Sequence, residues 1–285
     1  VDMEIRGSEF ISIHPRQDSL TFKSARASFN SNNKVIKAEG VAFILVADAA
    51  IYPSDMGVTI LEGAEMLPLV NADILANTTT KYHEIQNAEV KIKSRNDYFG
   101  SGDYLYVNRD GMEQNVFFEQ IGVDTTLQTV ASGTVLKEQK FTLSSAFAFY
   151  GTANLLASRK PMEFDGGFKI QAPCINSEHW IAFNAIIDPD DVMIPIPAQP
   201  RVPDITNTRK YVGIANSPTK HEIYSIFLQD KVDYFDSILI SANGFITYDY
   251  SKSHYKISTK EKLLQFSRPD NYIEFDPNNC EMHAE

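Results

Sequence analysis

The stretch ASFNSNNKVIKAEGVAFILVADAAIYPSDMGVTILEGA, residues 27–64, holds two copies of one pattern and decides the fold. Ala27-Ser28-Phe29 returns as Ala50-Ile51-Tyr52, and Glu39-Gly40 returns as Glu62-Gly63, each 23 residues later. A fixed period of roughly 20 to 50 residues is typical of repeat architectures, in which each copy buries its apolar edge on the next.

Turn residues fall where a repeat of short strands needs them. Asn30-Ser31-Asn32-Asn33 separates the halves of the first copy, and Pro53-Ser54-Asp55-Met56-Gly57 separates those of the second. Gly, Asn, Asp and Pro favour turns through their backbone preferences. The segments between turns, such as Tyr104-Leu105-Tyr106-Val107, are rich in the aromatic and β-branched residues of strands. A looser third copy places Ile74 23 residues after Ile51.

These features predict an all-β fold made of a β-repeat. The repeat is either a β-solenoid or a half-open β-jelly-roll, as one unit or as two stacked β units. An ordinary β-sandwich with coincidental spacing is the alternative. We divide the chain into residues 1–110, the repeat unit; 111–203, a less regular β region ending in a Pro-rich segment; and 204–285, where the repeat resumes. Because the pattern breaks off at Glu285, we expect a slice of a longer β-array.

Three segments need separate predictions. Residues 144–157 suit either a helix or two strands that turn at Gly151, and the alternating aromatic residues favour strands. The proline-rich residues 194–203 are expected to form an extended linker or crossing, because proline cannot donate to a central strand. The stretch 202–217 has the composition of a loop.

Composition excludes several classes of protein. The net charge of −11 over 285 residues opposes binding to nucleic acid or to an anionic membrane surface. The longest apolar run, Ala42 to Ala47, is far too short to cross a bilayer, and no signal peptide is visible. Cys174 and Cys280 are too far apart in sequence for a metal or redox motif. They form one disulfide or remain two buried thiols.

Few residues suggest a metal or a nucleophile. Asp188-Pro189-Asp190-Asp191 carries three carboxylates, which suit Ca²⁺, but its spacing fits no calcium loop and favours a solvated turn. Gly100-Ser101-Gly102 lacks the spacing of a nucleophile elbow and is interpreted as a turn. The histidines are not spaced as ligand pairs: His14, His83, His179, His221, His254 and His283. We predict no metal site and no cofactor.

Carboxylates offer one further route to chemistry. A glycosidase needs two carboxylates that meet in space, and these need not be close in sequence. Glu113, Glu119, Asp165 and Asp233 are available, but nothing selects a pair. No catalytic residue is therefore assigned, and the binding residues are left unknown.

Residues 18–29 (DSLTFKSARASF) and 35–41 (VIKAEGV) resemble the organic-solvent-tolerance (OstA-like) repeat of lipopolysaccharide-transport proteins. In that family a strand with a small and an aromatic residue leads through a turn to a strand that ends in glycine. The resemblance covers residues 18–107, with an echo at 238–285. The chain also resembles uncharacterised large envelope proteins of Bacteroidetes-type bacteria.

The resemblance implies a β-jelly-roll that is periplasmic or associated with the outer membrane, with acyl chains in an interior groove. It implies lipopolysaccharide, another lipid or a glycan as ligand, and other envelope proteins as partners. Lys91 and Lys93, which flank Ile92, depart from an apolar groove unless strand alternation points them outward.

The expected function is a non-enzymatic β-scaffold module of a larger bacterial cell-envelope protein that binds or conducts lipid or glycolipid along a groove. One alternative is a carbohydrate-binding or carbohydrate-active β-helix domain, with Trp180, Tyr104 and Tyr106 along its cleft. Another is a structural part of a surface or secretion assembly. The lack of a catalytic motif favours a protein that is not an enzyme.

Overall fold

A computed structural model describes residues 2–175, 180–203, 208–265 and 272–285. The described residues form 23 strands, one short α-helix and two 3-10 turns, which confirms the predicted all-β fold. The chain forms two compact units: unit 1 comprises 1–106, 113–134 and 153–162, and unit 2 comprises 107–112, 135–152 and 163–285. The predicted division at 110 and 203 stays a prediction.

Unit 1 is an antiparallel sheet with short connections. Its strands are β1 (Asp2–Ile11), β2 (Thr21–Asn30), β3 (Val35–Glu39), β4 (Ile44–Val46), β5 (Ala49–Tyr52), β6 (Gly57–Ile60), β7 (Leu69–Leu75), β8 (Glu84–Ser94), β9 (Asp97–Val107), β10 (Glu113–Val123) and β11 (Thr129–Val135). The strand order is β11-β10-β9-β8-β7-β5-β4-β2-β3-β6, with β1 on the free edge of β2. A 3-10 turn at Glu62–Ala64 follows β6.

The 23-residue period does not produce a parallel solenoid among the described strands. The turn at 30–33 reverses the chain, so β2 and β3 form an antiparallel hairpin. A connection this short cannot join two parallel strands, which need a long crossover. Ile51 and Ile74, which are 23 residues apart, are direct partners, but in antiparallel strands. Of the two predicted arrangements, the solenoid is wrong, and the half-open jelly-roll stays a prediction.

Strand β2 divides the sheet of unit 1 into two arms. Its second half, Arg26–Asn30, pairs with β3, whereas Phe22 pairs with Ile44 of β4. Small and branched apolar side chains in these strands and their connections are almost fully buried: Ala27, Ala38, Val41, Ile44, Val46, Ile51 and Val58. Alternation of inward apolar and outward polar residues, clear in β2 and β8, produces this core.

Unit 2 contains three smaller sheet regions. Its strands are β12 (Thr142–Ser144), β13 (Phe147–Leu156), β14 (Met162–Ile170), β15 (Ile181–Ile187), β16 (Ile194–Ile196), β17 (Tyr211–Ser217), β18 (Glu222–Gln229), β19 (Ser237–Ser241), β20 (Gly244–Asp249), β21 (His254–Ser258), β22 (Ile273–Asp276) and β23 (Glu281–Ala284). β13 joins β12 and β14, and β14 joins β15. The other sheets have the orders β16-β20-β21-β22-β23 and β18-β17-β19. A 3-10 turn spans Lys137–Gln139, and α1 spans Lys260–Leu264.

Aromatic residues dominate the core of unit 2. Phe227 stacks on Phe275 with ring centroids 4.2 Å apart, and Phe147 meets Tyr255 edge to face at 5.5 Å. The buried Tyr255 hydroxyl donates to the carbonyl of Ala146 at 2.8 Å, so its polar end is satisfied. Burial raises the pKa of this phenol above its ordinary value.

Some of the strands of unit 2 were predicted from the sequence and others were not. The preference for strand over helix at 144–157 is confirmed, but β13 runs through Gly151 without turning there. Gly151 has φ +136°, and an added Cβ would lie 2.3 Å from the Asp165 carbonyl, so its role is close strand approach. The prediction of a loop over 202–217 is wrong, because 211–217 is β17. Pro195 lies in β16, an edge strand, where its missing N–H is tolerated.

The two cysteines are bonded to each other. Cys174 and Cys280 form a disulfide with their Cα atoms 5.6 Å apart, which decides between the two alternatives left open by the sequence. The Cys174 N–H also donates to the carbonyl of Pro277. The bond therefore ties the segment after β14 to the turn between β22 and β23.

Candidate functional site

Unit 1 has an apolar cavity, here called the end cavity, between β1, β2, β3 and β6. Its volume is about 220 Å³. The lining is mostly apolar: Phe10, Ile11, Ser12, Ile13, Gln17, Leu20, Phe22, Ile36, Ile60, Leu61, Ala64 and Met66. Phe10 and Phe22 stack with centroids 5.1 Å apart and form one wall. Ile13 is 98% exposed, so an apolar side chain stands in solvent beside the cavity.

The polar groups of the end cavity are bonded to protein. Ser12 Oγ donates to Gln17 Oε1 at 2.5 Å, and Gln17 Nε2 donates to the carbonyl of Ala64 at 2.7 Å. Leu20 N–H donates to the carbonyl of Gln17 and holds the turn between β1 and β2. With these groups satisfied, the cavity offers a ligand chiefly apolar contact.

A second concavity, here called the outer groove, also includes Phe22 in its lining. It has a volume of about 540 Å³. Its lining comprises Glu9, Thr21, Phe22, Lys23, Ala42, Phe43, Leu45 and Arg95. Phe43 is 46% exposed and Leu45 51% exposed, so large apolar side chains face water here. Contiguous exposed apolar surface of this kind marks a contact site for a ligand or partner.

Lys23 and Arg95 are exposed cations at the outer groove, where Glu9 is the carboxylate. Among the residues that the structure describes, neither cation forms a salt bridge. The Arg95 backbone is held, since its N–H donates to Gln17 and its carbonyl accepts from Ala47. The groove thus combines an apolar wall with net positive charge in an acidic chain.

A cluster of ionisable side chains lies on one face of the five-stranded sheet: Asp249, Lys252, His254, Lys256, Glu274 and Asp276. His254 Nδ1 lies 3.2 Å from Glu274 Oε1, and its Nε2 lies 3.8 Å from Asp276 Oδ2. Lys256 Nζ donates to Asp249 Oδ2 at 2.6 Å.

Burial disfavours the charged form of Asp249, but hydrogen bonds from Lys256 and Ser251 outweigh it and hold the pKa well below its ordinary value. The Asn278 backbone N–H is the main cause that lowers the pKa of Asp276. Low carboxyl pKa values with cations alongside suit a structural ion-pair network, since a general acid needs a raised pKa.

The buried His83 and the half-buried Tyr104 form a pair in unit 1. The His83 Nε2 lies 2.8 Å from the carbonyl of Arg159, to which it can only donate, so Nδ1 accepts from the Tyr104 hydroxyl at 2.9 Å. Burial lowers the pKa of His83 and raises that of Tyr104 to about 12. Both side chains are therefore neutral at pH 7 and act as a structural hydrogen-bond pair.

A second buried relay joins four strands or turns of unit 1. Thr129, which is fully buried, donates from its hydroxyl to Asp48 Oδ1 at 2.6 Å and accepts from the Tyr98 hydroxyl at 2.8 Å. The Asn77 amide donates to the other Asp48 oxygen at 3.0 Å. Burial raises the pKa of Tyr98. The relay fixes four chain segments, and both oxygens of the Asp48 carboxylate accept hydrogen bonds in it.

Glu113 and Glu119, two of the carboxylates that the sequence offered for a glycosidase, do not form a catalytic pair. These two lie six residues apart in β10, a separation of about 20 Å along a strand, whereas glycosidase carboxyls stand about 5 to 9.5 Å apart. Glu119 accepts from the Thr134 N–H at 3.0 Å. Asp165 lies in β14, and Asp233 accepts from the Phe235 N–H within its own turn.

The aromatic residues considered for a sugar cleft lie in different surroundings. Tyr106 is 2% exposed and Tyr104 bonds to a buried histidine, so both belong to the core of unit 1. Trp180 meets Tyr150 edge to face at 4.8 Å, and Lys169 Nζ lies 5.6 Å from its ring. Tyr150 was missed because its contact with Trp180 joins residues distant in sequence. His179 lies outside the described residues.

Two other sequence motifs have structural roles. Asp188 Oδ1 accepts from the Asp190 N–H, so residues 188–191 form a turn, as predicted. Gly100-Ser101-Gly102 is not a turn but part of β9, and an added Cβ on Gly100 would lie 2.3 Å from the Glu89 carbonyl. The turn prediction failed because glycine here permits close strand approach and not chain reversal.

Lys91 and Lys93 point outward, as strand alternation allows. Ile92 between them is 3% exposed. Lys91 Nζ lies 3.4 Å from Glu65, and Lys93 Nζ lies 4.5 Å from the Phe99 ring centroid. These charges therefore do not enter the interior of unit 1.

In the described ranges, no helix is long and apolar enough to span a membrane. No group of three or more His, Cys, Asp or Glu side chains there could hold a metal ion. The fold and its cavities define an all-β protein of two compact units, with concave ligand-sized sites in each. No protein-family model, curated protein or solved structure matches the chain.

Proposed function

We propose that the chain is a non-enzymatic β-scaffold module of a bacterial cell-envelope protein, and that unit 1 binds a lipid-like amphiphile. The observation that carries this proposal is the pairing of the apolar end cavity with the outer groove, which share the buried Phe22. The OstA-like resemblance of residues 18–107 supports the same ligand class.

The end cavity suits an apolar chain. Its walls are formed by side chains such as Phe10, Leu20, Ile36 and Met66, and its two polar side chains are already hydrogen-bonded. Moving an alkyl chain from water into such a site gains about 0.8 kcal/mol for each CH₂ group buried. A hydroxyl-rich ligand would lose its water hydrogen bonds there without replacement.

The outer groove suits the charged head of an amphiphile. Lys23 and Arg95 supply two positive charges against the single carboxylate of Glu9. Arg binds carboxylate and phosphate groups through paired hydrogen bonds, and Lys adds a point charge. The ligand class is therefore an amphiphile with an anionic head and at least one acyl or alkyl chain.

The Cys174–Cys280 disulfide supports a location outside the cytoplasm. Disulfides persist in oxidising compartments, which include the bacterial periplasm and the cell surface. We propose a periplasmic or outer-membrane-associated location on this basis and on the OstA-like resemblance. Lipopolysaccharide, another lipid or a glycolipid, and other envelope proteins, are the proposed partners.

The test is calorimetric titration of the whole chain with dodecyl phosphate below its micelle concentration. We expect saturable binding and about tenfold weaker binding for Phe43→Ser, since burial of an aromatic side chain contributes at least 1.5 kcal/mol. Phe117→Ser is the matched control: Phe117 is 47% exposed, Phe43 is 46% exposed, and Phe117 lines neither cavity.

Lys23→Glu tests the charged head. The variant should bind dodecyl phosphate more weakly but bind dodecanol with nearly unchanged affinity. Absence of saturable binding to both probes, or equal effects of Phe43→Ser and Phe117→Ser, would overturn the proposed site.

A further inference from the structure

Residues 230–236, here called the aromatic loop, connect β18 to β19 in unit 2. The apolar side chains of this loop stand in water: Tyr234 is 87% exposed, Phe235 71% and Val232 59%. The two rings meet edge to face with their centroids 5.5 Å apart, so they form a single apolar tip. A cluster of exposed apolar side chains of this kind marks a contact surface.

The charged side chains of the aromatic loop are turned inward. Asp236 is 3% exposed, and Lys231 and Asp233 are half-buried. Lys231 Nζ donates to the carbonyl of Tyr234 at 3.0 Å and to that of Asp236 at 2.7 Å, so its ammonium is bonded inside the loop. In an ordinary surface loop the charged side chains are exposed and the large apolar ones are covered. The burial of this loop is therefore reversed.

The backbone of the aromatic loop is hydrogen-bonded within unit 2. The Tyr224 hydroxyl of β18 accepts from the Val232 N–H at 3.1 Å and donates to Asp236 Oδ2 at 2.7 Å. Asp236 Oδ2 also accepts from the Asp233 N–H at 2.8 Å. The Phe235 N–H donates to Asp233 Oδ1 at 3.0 Å. These bonds hold the apolar tip in one conformation and already use main-chain groups that would otherwise need water or a partner.

We propose that the aromatic loop docks the protein on a lipid bilayer, with Val232, Tyr234 and Phe235 inserted between the headgroups and the upper acyl chains. Tyrosine is enriched at that depth, because its ring is apolar and its hydroxyl reaches water. Backbone polar groups are costly to move out of water, so a loop that enters this region must satisfy them internally. The hydrogen bonds within unit 2 meet that requirement.

A second copy of the chain, or another protein, fits the aromatic loop less well. Two aromatic side chains bury about 300 to 500 Å² when fully covered, whereas a stable protein interface takes roughly 800 Å² from each partner. Such an interface also carries about one hydrogen bond for each 100 to 200 Å². The aromatic loop has turned its polar groups inward. A bilayer requires neither the area nor the hydrogen bonds, because each apolar group that leaves water contributes by itself.

The charge of the aromatic loop selects the kind of bilayer. Residues 230–236 contain Asp230, Asp233 and Asp236 against Lys231 alone, and the whole chain has a net charge of −11. An anionic bilayer attracts basic segments and repels acidic ones. The favoured surface is therefore zwitterionic, as in phosphatidylcholine. Docking should then depend on apolar insertion and only weakly on salt.

The test is flotation of the whole chain through a density gradient with vesicles of palmitoyl-oleoyl phosphatidylcholine. Tyr234→Ser/Phe235→Ser should lower the partition coefficient at least about tenfold, since both rings of the tip are removed. Tyr82→Ser/Phe117→Ser is the matched control and should bind like the unchanged protein. It removes the same two residue types from unit 1, where they are 52% and 47% exposed.

A fluorescent label distinguishes insertion from adsorption to the vesicle surface. Cys174 and Cys280 are the only two cysteines and are bonded to each other, so Phe235→Cys introduces a single free thiol. A nitrobenzoxadiazole label on that thiol should brighten and shift to shorter wavelength when vesicles are added, because it leaves water. The same label on Phe117→Cys should stay unchanged.

Thermal unfolding of each variant shows that it is folded. The proposal is overturned if the folded Tyr234→Ser/Phe235→Ser variant floats with vesicles as the control does, or if the label at position 235 stays in water. It is also overturned if binding rises with added phosphatidylserine and disappears at about 0.5 M salt, since attraction of charges would then be the cause. Self-association that this double variant abolishes, without vesicle binding, would assign the loop to a second copy instead.

The docking proposal does not depend on the amphiphile site of unit 1. Phe43→Ser should weaken dodecyl phosphate and leave flotation with vesicles unchanged. Tyr234→Ser/Phe235→Ser should do the opposite. Failure of one proposal is therefore measured separately from failure of the other.

Discussion

Replacing both Cys174 and Cys280 by serine removes a bond between residues that are 106 positions apart in sequence. In the chain-entropy description, a disulfide stabilises the fold by restricting the unfolded chain, and the effect grows with the logarithm of loop length. For a loop of this size the contribution is about 4.8 kcal/mol at 25 °C. We therefore expect the free energy of unfolding to fall by several kcal/mol and Tm by roughly 10 °C or more.

The assay is equilibrium unfolding in urea of the oxidised protein, the reduced protein and the double serine variant. Trp180 is the single tryptophan and lies in unit 2, so its fluorescence reports the unit that carries the disulfide. The reduced protein and the variant should share one lowered midpoint. A loss below about 1 kcal/mol in both would refute the loop-closure reasoning.

Three further predictions concern unit 1. Burial lowers the pKa of His83, so the unfolded chain binds the proton more readily, and the free energy of unfolding should fall by up to about 1.2 kcal/mol between pH 7 and pH 5.5. Thr129→Val removes a buried hydroxyl from Asp48 and should cost about 1 to 3 kcal/mol in urea unfolding. Gly100→Ala should cost about 1 to 3 kcal/mol, because its Cβ would overlap the backbone of β8, whereas Gly122→Ala meets no atom nearer than 3.7 Å and should be much milder.

Each of these predictions has its own control. His83→Gln should abolish the part of the fall in the free energy of unfolding between pH 7 and pH 5.5 that is due to His83. If the variant keeps the same pH dependence of stability, His83 is not its cause. Thr129→Ser keeps the hydroxyl and should retain more stability than Thr129→Val. Equal effects of Gly100→Ala and Gly122→Ala would show that strand approach is not the reason for glycine at position 100.

The all-β class was predictable because its signals are local. Turn residues at 30–33 and strand residues such as those at 104–107 are read from neighbours along the chain. The same local rules misread Gly100-Ser101-Gly102 as a turn, since the reason for glycine there is the carbonyl of Glu89 on the adjacent strand. The strand at 211–217 was missed because it is held by pairing with β18 and β19.

The candidate sites were much less predictable. The cation Arg95 and the wall residues Phe22 and Phe43 of the outer groove come from separate strands or turns, and no spacing in the chain links them. The aromatic loop of unit 2 was not recognised either, because the exposure of Tyr234 and Phe235 is a tertiary property. The sequence contains both cysteines but does not show whether they form a disulfide or remain free thiols. The structure decides this, because their Cα atoms are 5.6 Å apart, a separation typical of disulfides.

The sequence by itself determined that this chain forms short strands joined by turns, and that one face of many strands is apolar. These are properties of consecutive residues, because side-chain alternation and turn preference act over a few positions. Only the tertiary structure decided that the repeat pairs antiparallel, that Cys174 meets Cys280, and where the cavities lie. Those features depend on contacts between residues far apart in the chain, which arise when the sheets fold and their apolar faces are buried together.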